Sequence, residues 1–107
     1  MTRGAISNST NRAAFITVYG EVKSVGFRRL IWRLAKTLDL KGYVENVPGE
    51  DCVKVYVEGH AERLEEFLSR ISAASKIYGI TKVEVRERAC TSKYSDFIIV
   101  GCAGEVI

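Results

Sequence analysis

The residues most able to do chemistry lie between Gly20 and Arg28, where the sequence GEVKSVGFR joins a strand-like run to a helical pattern. A loop that leads into a helix presents unpaired backbone amides, and the helix dipole favours an anion beside them. Glycines at positions 20 and 26 allow close approach of the backbone, and the forked donors of Arg28 match a phosphoryl group. The spacing is not that of a Walker loop. A phosphate cradle and an ordinary connection whose glycines only turn the chain explain the stretch equally well.

Two amphipathic segments position this loop. Before it, the run Ala14–Gly20 alternates with period two, which predicts a strand with Ile16 and Val18 on one face. After it, apolar residues recur at helical spacing from Phe27 to Leu38, and Gly42 is the expected helix stop. Three residues of the solvated helix face and one of its partly buried flank are expected to lie outside the site: Arg29, Arg33, Lys36 and Trp32.

The remaining chain predicts a hairpin, a second helix and two more strands. The runs Gly42–Val47 and Cys52–Gly59 are rich in β-branched residues and are joined by Pro-Gly-Glu-Asp, which indicates a hairpin. A second amphipathic helix follows, in which Glu66 and Arg70 can pair across one exposed turn. The buried stripe of this helix is expected to consist of Leu64, Phe67, Leu68 and Ile71. Two later strands are expected at Ile80–Ala89 and at Tyr94–Gly101.

The order of these elements, βαββαβ followed by a terminal strand, predicts the fold. Each helix has one apolar stripe and most strands have one apolar face, so two helices must pack on one face of a mainly antiparallel sheet. In the strand Ile80–Ala89, Val83 and Val85 are expected to point inward, with Ile80 out of register. The fold class is therefore α+β, a ferredoxin-like α/β sandwich with a C-terminal edge strand.

Composition indicates one domain, residues 14–101, between a flexible N-terminal tail, residues 1–13, and a short C-terminal tail, residues 102–107. Of the 107 residues, 47% are hydrophobic and 27% are charged, which suits a single core. No apolar run approaches the ~20 residues of a membrane helix, and the start lacks the apolar region of a secretory signal. Three cysteines without a C-x-x-C pair indicate neither a disulfide framework nor a zinc site, so we expect a cytoplasmic protein.

Three stretches resemble the acylphosphatase family. The segment from Gly20 to Arg28 resembles its signature loop, which commonly reads G-x-V-Q-G-V-G-F-R. A second signature, a glycine, an aromatic residue and an asparagine three residues later, is similar to Gly42, Tyr43 and Asn46. The sequence FIIVG, residues 97–101, resembles the final strand, which the family places at the sheet edge beside the first hairpin strand.

The resemblance implies hydrolysis of acyl phosphates to a carboxylate and inorganic phosphate, without a metal or organic cofactor. Arg28 would grip the phosphoryl oxygens and Asn46 would hold the attacking water, so the single histidine, His60, need not take part. We expect a monomer with no nucleic-acid or membrane partner. The amides that would share the phosphoryl group with Arg28 are those of Val22, Lys23, Ser24, Val25, Gly26 and Phe27.

Two loop residues depart from the family pattern. Lys23 replaces the usual glutamine, and Ser24 replaces a usual glycine. If the loop needs a left-handed residue at position 24, serine would be strained by ~1–2 kcal/mol. A slightly shifted loop whose amides still converge is the alternative.

Two other functions fit the same pattern. The first is an acylphosphatase-like domain that binds a carbamoyl or acyl phosphate with little turnover, as expected at the start of hydrogenase-maturation carbamoyltransferases. The second is an RNA-binding module of the same topology, which would display aromatic side chains on the exposed sheet face. Tyr19 and Tyr56 could lie there, although Lys54 and Glu58 flank Tyr56.

Overall fold

The computed structural model describes residues 11–22 and 25–100. Five strands form one sheet: β1 (Asn11–Gly20), β2 (Lys41–Asn46), β3 (Cys52–His60), β4 (Ile80–Ala89) and β5 (Phe97–Val100). Three helices connect them: α1 (Val25–Thr37), α2 (Ala61–Ala73) and the short α3 (Ser75–Tyr78). The order predicted from the sequence is confirmed, with α3 as an additional turn of helix. None of the helices in the described ranges is long and apolar enough to cross a membrane.

The sheet has the strand order β4-β1-β3-β2-β5. All neighbours are antiparallel except β2 and β5, which run parallel. The terminal strand therefore lies at the edge beside the first hairpin strand, as the resemblance implied. Residues 11–13, expected in the N-terminal tail, belong to β1, and residues 1–10 and 101–107 lie outside the described residues.

The apolar side chains on one face of the strands pack against the apolar stripes of the helices and form one core between the helices and the sheet. The expected inward face of β1 is confirmed, since Ile16 and Val18 are buried under the helices. A register shift between Tyr19 and Gly20 brings Ile80 opposite Gly20, which confirms that Ile80 is out of register. Val83 and Val85 lie opposite Val18 and Ile16, which confirms that they point inward, but Val85 remains 43% exposed. Its strand, β4, lies at the sheet edge.

The end of α1 differs from the prediction. The left-handed residue after the helix is Asp39, with φ 57°, and the N–H of Leu40 donates to the carbonyl of Ala35 at 2.8 Å. Gly42 lies within β2, so the expectation that it stops the helix was wrong. A Cβ at position 42 would lie 1.9 Å from the carbonyl oxygen of Tyr56 in β3, and this close approach is the reason for glycine.

The connection from β4 to β5, residues 90–96, crosses the face of the sheet opposite the helices, which we call the open face. Four strand spacings of ~4.8 Å separate the two edges, and seven residues reach at most ~25 Å, so the segment is long enough to cross the sheet. It is held by the carboxylate of Glu58, which accepts from Ser92 N at 2.9 Å and from the Cys90 thiol at 3.1 Å. Tyr94 packs on Tyr56, with ring centroids 5.3 Å apart. Glu58 and Tyr56 are consequently buried, although their face of the sheet carries no helix.

Replacement of Glu58 by alanine is expected to lower the free energy of unfolding by ~1–3 kcal/mol, because the hydrogen bonds that Ser92 N and the Cys90 thiol donate to this buried carboxylate would be lost. Glutamine at position 58 is the matched control, since its side-chain oxygen can still accept from Ser92. Urea denaturation of the two variants measures the difference. Equal midpoints would show that the carboxylate does not hold this connection.

Candidate active site

The loop after β1 is held by the turn that follows α3. The N–H of Glu21 donates to the carbonyl of Gly79 at 3.3 Å, and the N–H of Gly20 donates to the carbonyl of Asp51 at 3.0 Å. A Cβ at position 20 would lie 2.2 Å from the Gly79 oxygen, so only glycine allows this contact. The candidate phosphate loop therefore starts from a backbone position fixed by two other parts of the chain.

The loop then tightens and enters α1. The N–H of Val22 donates to the carbonyl of Gly20 at 2.9 Å. Because α1 begins at Val25, the amides of its first turn point back toward the loop, where the helix carries partial positive charge. The fully buried Phe27 anchors this turn with an edge contact to Tyr78 at 5.2 Å. Four of the six predicted phosphate-binding amides belong to described residues, and the other two, those of Lys23 and Ser24, lie outside them.

The Arg28 side chain is buried although it carries a full charge, with 3% of its surface exposed. Its Nη1 donates to the carbonyl of Val100 in β5 at 3.1 Å. Its Nε is buried and has no hydrogen-bond partner among the described residues. A buried donor without an acceptor costs ~1–3 kcal/mol, and such groups in native structures call for a functional explanation. An oxyanion is the acceptor that a guanidinium fork at a helix start suits best.

Asn46, the last residue of β2, lies at the same corner of the molecule. Side chains alternate across a strand, so Asn46 shares the face of Val44, which is buried beneath the helices. In the parallel pairing of β2 with β5, Glu45 lies opposite Val100, whose carbonyl accepts from Arg28. Arg28 therefore contacts β5 beside the C-terminal end of β2, the end at which Asn46 lies.

Two contacts from α1 fix the position of β5. Trp32 Nε1 donates to the carbonyl of Phe97 at 3.0 Å, one helical turn after the contact of Arg28 with the same strand. Lys36 forms an ion pair with Asp96, which also accepts from the N–H of Phe97 at 2.8 Å. The hydrogen bond from Lys36, and then the backbone donor, lower the pKa of Asp96 below its usual value. The ion pair between Lys36 and Asp96 stabilises the folded state at neutral pH. Its contribution is lost as the pH falls through the lowered pKa of Asp96.

The sequence did not predict that Trp32 holds β5 in position beside the candidate site. The spacing of Trp32 four residues after Arg28 was the available signal, because such residues share one helix face. His60 directly precedes α2, and its side chain makes no capping hydrogen bond there. It also lies at the end of β3 opposite to the Asn46 corner.

Comparison with known proteins agrees with this geometry. The family model for acylphosphatase matches residues 14–99. The chain belongs to the acylphosphatase family. An acylphosphatase from Pseudothermotoga lettingae is 34% identical over 89 residues, which cover 83% of this chain and 98% of that protein. The crystal structure of acylphosphatase from Bacillus subtilis has a TM-score of 0.76 at 28% identity, over 83% of this chain and 98% of that one.

The acylphosphatase fold also occurs inside a larger protein that this chain resembles. The probable carbamoyltransferase HypF from Methanocaldococcus jannaschii is 33% identical over 86 residues. That match covers 79% of this chain but 11% of the longer protein. Its similarity therefore concerns a single domain of that carbamoyltransferase.

Proposed function

We propose that this acylphosphatase-family chain hydrolyses the carboxyl-phosphate bond of acyl phosphates and releases a carboxylate and inorganic phosphate. The observation that carries the proposal is the buried guanidinium of Arg28 at the start of α1. One nitrogen is anchored on Val100, while Nε has no hydrogen-bond partner among the residues described. A phosphoryl oxygen would supply the acceptor that this nitrogen lacks.

In the proposed mechanism the protein positions groups and stabilises charge. Arg28 and the backbone amides between Val22 and Phe27 bind the phosphoryl oxygens, and the carboxamide of Asn46 holds the water that attacks phosphorus. The P–O bond to the acyl group breaks as the bond to water forms. Phosphoryl transfer runs through a loose transition state, so orientation and a positive environment supply most of the rate. α1 has four basic residues and no acidic one, which adds to that environment.

Neither a general acid nor a general base from the protein is required. The leaving group is a carboxylate, which departs without being protonated. One proton of the attacking water passes to an oxygen of the phosphoryl group and the other stays on the attacking oxygen, so the products are a carboxylate and dihydrogen phosphate, which can then lose a proton to solvent. This chemistry agrees with a site built from one guanidinium, one carboxamide and main-chain amides, and the proposal includes no cofactor.

Hydrolysis of benzoyl phosphate by the purified chain tests the proposed function. Loss of the ultraviolet absorbance of the substrate should accompany release of benzoate and phosphate in equal amounts. Inorganic phosphate should inhibit competitively, since it is the product that Arg28 and the amides bind. Absence of hydrolysis above the buffer rate would refute the enzymatic proposal.

A phosphate-binding domain with little turnover is the second candidate. The match to one small part of the carbamoyltransferase HypF favours it, because there the same fold is one domain of a longer protein. Titration calorimetry with inorganic phosphate separates the two candidates. Binding without hydrolysis of benzoyl phosphate would support the binding domain, and binding with hydrolysis would support the enzyme.

The open face does not favour RNA binding. Tyr56 is 5% exposed beneath Tyr94, so it cannot stack on a base. The depression on this face is lined by equal numbers of acidic and basic side chains: Glu45, Glu50, Glu84, Lys54, Arg86 and Arg88. We expect no retention of single-stranded RNA even at low salt, where electrostatic binding is strongest.

We also propose that the chain is a cytoplasmic monomer. The outer edge of β4 is the longest sheet edge that could pair with another copy. Charged side chains of both signs follow one another along it, which discourages edge-to-edge pairing. Analytical ultracentrifugation of the purified chain measures its molecular mass in solution. The mass of one chain would support this proposal, and a stable dimer would contradict it.

A further inference from the structure

A small hollow lies on the molecular surface between α1 and β5. Its volume is about 230 Å³, and its walls are Arg29, Trp32, Arg33 and Ile99. The sequence pattern placed the three helix residues on a solvated face or flank, outside the site. The structure instead groups them around one depression with an apolar floor, since Ile99 is almost fully buried.

The hollow carries positive charge that no carboxylate of residues 11–22 or 25–100 neutralises. Arg29 and Arg33, one helical turn apart, form no ion pair within the part of the chain that the structure describes. The next basic residue on the helix, Lys36, is paired with Asp96. Two neighbouring guanidinium groups of this kind match a carboxylate by forked hydrogen bonds.

The wall between the two arginines is held in place. Trp32 donates from Nε1 to the carbonyl of Phe97, and the ammonium of Lys36 lies 5.7 Å from the centre of the indole ring. The side chain is still 37% exposed. A fixed, partly exposed indole offers a flat apolar surface to a short carbon chain.

Two residues that line the hollow are chain neighbours of residues at the candidate active site. Arg29 follows Arg28 in the helix, and Ile99 precedes Val100, whose carbonyl accepts from Arg28. Arg33 is five residues beyond Arg28, or about 7.5 Å along the helix axis at a rise of 1.5 Å per residue. Arg29 and Arg33 are also turned by about 100° and 140° around the helix from Arg28, with Trp32 between them at about 40°, so a ligand that extends from the phosphoryl position to these two arginines would pass along Trp32.

We propose that Arg29 and Arg33 bind a second anionic group on the acyl part of the substrate, with its carbon chain against Trp32. The preferred substrates would be acyl phosphates of short dicarboxylic acids. A volume of about 230 Å³ holds roughly seven or eight water volumes, which is room for such a chain. This inference rests on the proposed function, because it assumes that the phosphoryl group lies at Arg28.

Calorimetry with a matched pair of stable ligands tests the inference without turnover. 5-Phosphonopentanoate and pentylphosphonate have equal chain lengths and differ in the terminal carboxylate. The first is expected to bind ~5- to 10-fold more tightly, as for a partly solvated ion pair with two arginines. In the Arg29→Ala/Arg33→Ala variant the ratio should fall to about one. The Arg86→Ala/Arg88→Ala variant, which removes two charges from the open face, should keep the preference.

Kinetics with glutaryl phosphate and pentanoyl phosphate give the second readout. The wild-type chain should favour glutaryl phosphate in kcat/KM, and the Arg29→Ala/Arg33→Ala variant should lose that preference. Equal binding of the two phosphonates by the wild-type chain would overturn the inference, even if both acyl phosphates are hydrolysed. Tighter binding of the carboxylate ligand without hydrolysis of either substrate would overturn the proposed activity and leave the second anion site supported.

Discussion

Replacement of Arg28 by alanine is expected to reduce kcat/KM for benzoyl phosphate by at least ~10²–10³-fold. The guanidinium is the only buried cation among the described residues. In the proposed mechanism it contacts the phosphoryl group, which gains charge in the transition state. Loss of one preorganised donor typically costs that factor, and a forked cation supplies more than one donor. Steady-state hydrolysis at saturating and at low substrate measures the effect.

Two variants control for charge and for folding. Arg28→Lys keeps the positive charge but loses the planar fork, so its activity should fall between those of the wild-type chain and the alanine variant. Arg70→Ala removes an exposed arginine that pairs with Glu66 on α2, and it should keep wild-type activity. Circular dichroism confirms that each variant is folded at the assay temperature. A folded Arg28→Ala chain within tenfold of the wild-type rate would remove Arg28 from the mechanism.

Replacement of Asn46 by alanine is expected to lower kcat by ~10²-fold, while the affinity for inorganic phosphate is largely kept. Asn46 lies at the end of β2, beside the strand that receives the Arg28 contact. The proposed role of Asn46 is to orient the attacking water. Its removal should therefore misplace the nucleophile without weakening the binding of the phosphoryl oxygens. Turnover of benzoyl phosphate and calorimetric binding of phosphate are measured on the same preparation.

The neighbouring residue supplies the matched control. Glu45→Ala changes a side chain on the open face one position earlier in β2, and it should retain wild-type turnover. A parallel loss of turnover and phosphate affinity in Asn46→Ala would assign the residue to phosphate binding instead. Wild-type turnover in a folded Asn46→Ala chain would exclude both assignments.

Local patterns predicted the fold because each of them reports burial directly. Period-two alternation in β1 and the apolar stripes of both long helices correctly identified faces that form the core. Arg28 was correctly placed in the first turn of α1, although that helix begins at Val25 rather than near Phe27. The Pro-Gly turn was correctly predicted as a hairpin, in which Gly49 takes the φ of 81° that such turns need.

Contacts between distant residues were decided by the tertiary structure alone. Periodicity could not show that Glu58 and Tyr56 are covered, because the covering segment lies more than thirty residues later in the chain. It could not show that Asp39, rather than Gly42, turns the chain after α1, since the need for glycine at position 42 arises from the approach of β3.

The sequence by itself determined the element order and the core faces, because local spacing encodes which side of each element is buried, and its resemblance to the acylphosphatase signatures indicated the candidate residues Arg28 and Asn46. The tertiary structure decided that Arg28 is anchored on Val100 and that Trp32 and two arginines surround a common hollow. The Arg28 contact and the hollow both depend on the parallel pairing of β5 with β2, which places the last strand beneath α1. The register of a pairing between segments about fifty residues apart is a property of the packed sheet, and no local pattern carries it.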